Sequence, residues 1–128
     1  MANTIPQFDR YVCPGDTVQW SADGFDFVAR VEFDADTRPE DSECYSKKQI
    51  RAWRNDEWFF CGIILTVSRN GVQLSGHAAS LWGIDCNFPS RRKNPNSYLS
   101  EVCADLQGEA TETARKETAR ILSALQTA

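Results

Sequence analysis

Thr17-Val18-Gln19-Trp20-Ser21-Ala22-Asp23-Gly24-Phe25-Asp26-Phe27-Val28-Ala29-Arg30-Val31-Glu32-Phe33 is the stretch that decides the fold. Phe25, Phe27, Ala29, Val31 and Phe33 recur at every second position, with Asp26, Arg30 and Glu32 between them. Only Val28 interrupts the polar side. This period belongs to a strand with one buried face. Asp-Gly between two such runs is a tight-turn dipeptide. With Asp23 and Gly24 as the loop, Trp20 falls opposite Phe27 and Val18 opposite Ala29, so all four share one face. Turn chemistry and apolar pattern select the same register, which specifies an antiparallel hairpin.

Downstream, residues 34–44 carry Asp34, Asp36, Pro39, Glu40, Asp41 and Glu43 and read as a solvated acidic loop. Ser46 and Gln49 then have the spacing of a capping box, and Tyr45 with Ile50 that of a hydrophobic staple. A short helix over about 47–55 is expected, with Ile50 and Trp53 marking its buried side. Residues 57–68 are the most apolar segment. Phe59, Cys61, Ile63, Leu65 and Val67 occupy one face, and Trp58, Phe60 and Ile64 the other. A strand apolar on both faces is usually central and covered twice.

Asn70-Gly71 marks a second hairpin turn. It predicts Arg69 opposite Val72 and Val67 opposite Leu74, with the return strand weakening near Gly76. Residues 78–84 read either as a further strand or as a turn and short strand. Residues 85–96, with Pro89 and Pro95, read as a loop, and Asn94 or Ser97 as a cap for the C-terminal segment. From about 97 to 126, Leu99, Val102, Cys103, Leu106, Ala110, Ala114, Ile121, Leu122 and Leu125 keep the three-and-four rhythm of a helix. Gly108 is the position where it would kink or split. The expected fold is α+β: a single domain over 1–128 in which two antiparallel hairpins, four to five strands, are packed by a short helix and a long C-terminal helix.

The chain has 128 residues and a formal net charge of −4, from 14 basic and 18 acidic residues. That balance disfavours a protein held to nucleic acid by phosphate contacts. The longest apolar run, Trp58 to Leu65, falls far short of the roughly 20 residues that span a bilayer. Residues 1–15 lack the apolar core of a signal peptide. A cytoplasmic protein with no membrane partner is expected. The five cysteines form no C-x-x-C pair. Cys61 and Cys103 read as small buried hydrophobes. No phosphate-cradling or dinucleotide-binding glycine motif is present, so no cofactor is expected.

Three clusters are candidate sites. Asp36, Glu40, Asp41 and Glu43 in the acidic loop can meet a basic partner surface. Asp34, Asp36 and Glu57 are the carboxylates from which a divalent cation site would be built. Lys47, Lys48, Arg51 and Arg54 on the first helix, with Arg91, Arg92 and Lys93 in the late loop, can hold an acidic partner. Trp53, beside Arg51 and Arg54, is the aromatic singled out as an interface anchor. Trp20 and Trp58 read as core. His77, the one histidine, lies near Ser75 and Ser80, but no nucleophile elbow accompanies it.

Gly15-Asp16-Thr17, Cys44-Tyr45-Ser46, Arg51-Ala52-Trp53-Arg54-Asn55-Asp56-Glu57-Trp58 and Ala78-Ala79-Ser80-Leu81-Trp82-Gly83-Ile84 resemble stretches of small uncharacterised proteins carried by bacteriophages, prophages and plasmids. The resemblance runs from about Gly15 to Leu125 and brings no catalytic residue with it. It implies a mobile-element origin. Many small acidic proteins of such elements bind and disable host machinery, including CRISPR effectors and restriction enzymes. The function expected is therefore a non-enzymatic accessory protein acting by protein–protein binding on a host or phage protein, such as a defence complex. An anti-CRISPR protein is its most concrete form. The alternatives are a metal-dependent hydrolase using Asp34, Asp36 and Glu57, and a nucleic-acid module using Arg51, Arg54, Arg91, Arg92 and Lys93.

Overall fold

In the computed structural model, which describes residues 5–89 and 94–127, the first hairpin forms in the expected register. Strand β1 (Thr17–Ala22) pairs antiparallel with β2 (Phe25–Phe33), placing Trp20 opposite Phe27 and Val18 opposite Ala29. Asp23 and Gly24 both adopt positive φ, 56° and 84°. That is the conformation a two-residue turn of this kind demands, and glycine meets it without a Cβ penalty. β2 continues the sheet onto β3 (Phe59–Arg69), and β3 onto β4 (Val72–Cys86), giving one antiparallel sheet in the order β1-β2-β3-β4.

The second hairpin departs from the sequence reading. Arg69 pairs with Val72 as expected, but Val67 faces Ser75 instead of Leu74. Leu74 is an extra residue, bulged out of the ladder. Gly76 does not end the strand. Leu65 pairs with Ala79, so Gly76, His77 and Ala78 together oppose Thr66 alone. The Gly76 carbonyl is held by Thr66 Oγ1 at 3.1 Å and by an Arg30 guanidinium nitrogen at 3.1 Å. A third bulge sets Trp82 and Gly83 against Gly62, because Ile63 pairs with Leu81 and Cys61 with Ile84. Residues 78–84 are thus the second half of β4, and the sheet has four strands. Bulges on an edge strand also twist its free hydrogen-bonding groups away from edge-to-edge pairing.

Helix α2 (Leu99–Gln126) crosses one face of the sheet. Leu99, Cys103, Leu106, Ala110 and Ala114 join Val18, Trp20, Phe27, Ala29, Val31, Ile63, Leu65 and Val67 in the core. Small residues at 110 and 114 let the helix lie close to the strands. Trp20 Nε1 donates to Gln107 Oε1 at 2.8 Å, so this buried indole keeps its hydrogen bond. Gly108 does not split α2, which runs through it unbroken, and it faces open space. Neither Asn94 nor Ser97 caps the helix. Tyr98 is the N-cap residue and makes no side-chain cap bond. At about 1.5 Å per residue the 28 residues span roughly 42 Å. Beyond Ala114 no described residue is buried, and Leu122 and Leu125 are 54% and 78% exposed.

The other face carries a separate aromatic cluster. Helix α1 (Lys47–Arg54) starts at the expected capping box, with Gln49 N donating to Ser46 Oγ and Ser46 N donating to Gln49 Oε1. It is fixed to the start of β3 by Trp58, whose Nε1 donates to the Gln49 carbonyl at 2.9 Å. Trp58 is fully buried and packs with Tyr45, Phe60 and Phe88 at ring separations of 4.9–5.3 Å. β3 is therefore covered on both faces, as its composition predicted. Ile50 and Trp53 are only half-buried, because α1 lies over the edge of this cluster and buries none of its residues fully.

Two features escaped the sequence reading. The irregular segment ahead of β1 is anchored: Phe8 and Val12 are buried, and Asn87 and Asn96 tie it down. Asn87 exchanges two hydrogen bonds with the Val12 backbone, and Asn96 Nδ2 donates to the Arg10 carbonyl at 2.9 Å. Cys61 is not the separate small hydrophobe expected but forms a disulfide with Cys86 between β3 and β4. Cys103 does behave as expected, since burial pushes its thiol up to about 12.

Candidate functional site

The site begins at Asp34, the residue that follows β2. Its carboxylate is buried, and both oxygens are occupied. Oδ1 accepts from Asp36 N and Thr37 N at 2.9 and 3.2 Å; Oδ2 accepts from Thr37 Oγ1 at 2.7 Å and from Gly83 N at 2.9 Å. Desolvation pushes the pKa up, but these bonds to the charged form outweigh it and hold the carboxyl below its ordinary value. Asp34 thus folds the loop 34–37 back on itself and ties it to the third bulge of β4. Gly83 sits there at φ 73°, a conformation that side chains rarely tolerate.

That bulge sets the position of Trp82. Its indole lies flat against Gly62, where a Cβ would collide with the six-membered ring. Gly62 leaves the room, and the bulge supplies the angle. One indole face is therefore seated on backbone, and the side chain remains 43% exposed. Phe33, 56% exposed and stacked on Phe59 at 6.1 Å, stands nearby. Phe33, Asp34, Ala35, Asp36, Thr37 and Trp82 line one open hollow of about 500 Å³. None of those lining residues is basic. The Asp36 carboxylate is exposed and takes part in no hydrogen bond or ion pair among the described residues.

The remaining candidates fall elsewhere. Glu57 lines a different hollow, with Arg10, Tyr11, Asn87, Phe88, Pro89 and Pro95. Asp34 and Asp36 therefore do not converge with it, and Asp34 has no lone pair to spare for a cation. Among the described residues, no group of three His, Cys, Asp or Glu side chains is placed to hold a metal. Glu40 turns towards α1: it meets Arg38 at 2.8 Å and Arg54 at 3.5 Å, and shares a hollow with Lys47, Ile50, Arg51 and Arg54. Acidic loop and basic helix thus partly neutralise each other. Asp41, Glu43, Lys47, Lys48 and Arg51 are exposed, and Trp53 is half-buried. Arg91, Arg92 and Lys93 lie outside the described residues. His77 Nε2 and Ser80 Oγ are 2.8 Å apart beside the wide bulge, and no carboxylate orients the ring among the described residues.

Trp82, Phe33 and Gly62 were missed in the sequence reading, although two signals were present. A lone glycine inside an otherwise apolar strand marks a close approach, and Trp-Gly within a strand marks a bulge.

No protein-family model, no curated protein and no solved structure matches this chain. Among the described residues no helix is long and apolar enough to cross a membrane. The functional reading rests on the chemistry of the site.

Proposed function

We propose that this chain is a non-enzymatic accessory protein that acts by binding another protein, with the Phe33–Trp82 end of the sheet as its contact face. One observation carries the reading. The protein buries Trp20 and Trp58 almost completely, yet leaves Phe33 and Trp82 exposed around a single hollow. Exposed aromatics held in fixed positions are the anchors around which interface hot spots form. Trp82 is fixed at both ends of its environment, by Gly62 beneath the ring and by Asp34 through Gly83. Little rotamer entropy remains to be lost on binding.

The charged surface of α1 is the weaker anchor. Exposed ion pairs contribute little, and Arg54 is already engaged with Glu40. The mobile-element resemblance of the Leu81-Trp82-Gly83 stretch makes a host-defence antagonist, such as an anti-CRISPR protein, the most concrete form of the proposal.

Affinity capture from bacterial host lysate tests it. The wild type and Arg51→Glu are expected to retain the same partner, and Trp82→Ala to lose it. Background proteins alone at every salt concentration, or equal retention by Trp82→Ala, would overturn the reading.

A further inference from the structure

We infer that the hollow between Phe33 and Trp82 receives the guanidinium group of an arginine carried by the partner, stacked on the Trp82 indole and paired with Asp36. This deepens the protein-binding reading and rests on it.

Three features of the site select this occupant. First, the indole is seated against Gly62, lines the hollow and remains 43% exposed, so it is available to a planar cation. Tryptophan is the best ring for a cation, and guanidinium stacks on it as a plane. Secondly, among the described residues the lining carries Asp34 and Asp36 and nothing basic. Asp34 stays ionised but has spent its lone pairs on Asp36, Thr37 and Gly83, so it supplies field and not contact. Asp36 is exposed and its carboxylate has no partner among the described residues, and such a carboxylate accepts a guanidinium in the two-pronged geometry that ammonium cannot reproduce. Thirdly, the same charges exclude the competing planar ligand. A nucleobase would stack on Trp82 equally well, but its phosphates would meet two carboxylates with no arginine or lysine in the lining to offset them.

Titrating the isotopically labelled chain with N-acetyl-arginine amide, and separately with its citrulline and leucine counterparts, tests the inference. The Trp82 indole N–H resonance is the readout, identified by its disappearance in Trp82→Phe. Arginine amide is expected to shift it saturably. Citrulline, which keeps the shape and loses the charge, should bind about two- to fivefold more weakly. Asp36→Asn, a surface change that leaves the Asp34 anchor intact, should reduce the arginine preference by a similar factor. Equal binding of citrulline overturns the inference, and equal binding of leucine reassigns the hollow to an apolar side chain. Partner capture is read independently. Loss of capture in Trp82→Ala without arginine preference overturns the guanidinium and leaves the protein-binding reading standing. Retained capture without arginine preference overturns both.

Discussion

The two hairpins of the sheet are built from similar material and obey different rules. β1 and β2 pair residue for residue from Thr17–Arg30 to Ala22–Phe25. β3 and β4 lose register three times in eleven residues of β3. The first hairpin has all its apolar residues but Val28 on one face, so a slip by one position would move that whole set to the other face. The second has apolar residues on both faces of β3, and an extra residue in β4 costs less pattern. What sets its register is tertiary. Arg30 and Thr66 hold the Gly76 carbonyl, and Asp34 holds the Gly83 amide. The regular hairpin stores stability; the bulged one places the chemistry.

Substitutions can break this division. Phe27→Ala removes a fully buried ring stacked on Trp20 at 5.4 Å and should cost about 3–5 kcal/mol in chemical denaturation. The Trp82 indole resonance should stay where it is in the variant that remains folded. Asp34→Asn should do the reverse: a smaller loss, about 1.5–3 kcal/mol, with a displaced Trp82 resonance. Its pH dependence is set by the direction of the shift. Because the folded pKa lies below the unfolded value, the stabilisation is complete above the unfolded pKa and is lost as pH falls through the folded one. The gap between wild type and Asp34→Asn should therefore be constant near neutrality and close below about pH 4. The smallest effect is expected for Thr66→Val, about 0.5–1.5 kcal/mol, with faster amide exchange confined to residues 76–78. Equal acceleration in β1 and β2 would show that the two hairpins do not separate in this way.

The same division explains what could be read in advance. Asp23-Gly24 with its flanking alternation, and Ser46 with Gln49, are local signals in which turn or cap chemistry agrees with the apolar pattern, and both gave correct elements. The bulges at Leu74 and at Gly76–Ala78 left no mark on the apolar period of β3, and only Trp82-Gly83 carried a sequence signal for the third. Val67 was accordingly paired with Leu74. The candidate site is formed by Phe33–Thr37, Gly62 and Trp82–Gly83, segments brought together only by strand order. Asp34 reads in the sequence as one carboxylate of a solvated acidic loop and as a candidate cation ligand, but its burial and four accepted hydrogen bonds make it an anchor. Trp53 was noticed for its charged neighbours, whereas the exposed indole is Trp82, whose neighbours in sequence are ordinary apart from Gly83.

The long overhang of α2 has a consequence of a different kind. A free helix as short as residues 115–126 would be marginal in water, because starting the first turn is the unfavourable step. Here that step has already been taken by the segment clamped between Leu99 and Ala114, and the remaining turns need only propagate from it. The bidentate pair of Glu117 with Arg120 and the Thr118 hydroxyl donating to the Ala114 carbonyl lie just past the clamp. Opening of this stretch is thus a zipper that runs from its free end. Protection of backbone amides should fall off smoothly with distance from Ala114, while the clamped half opens only when the sheet does.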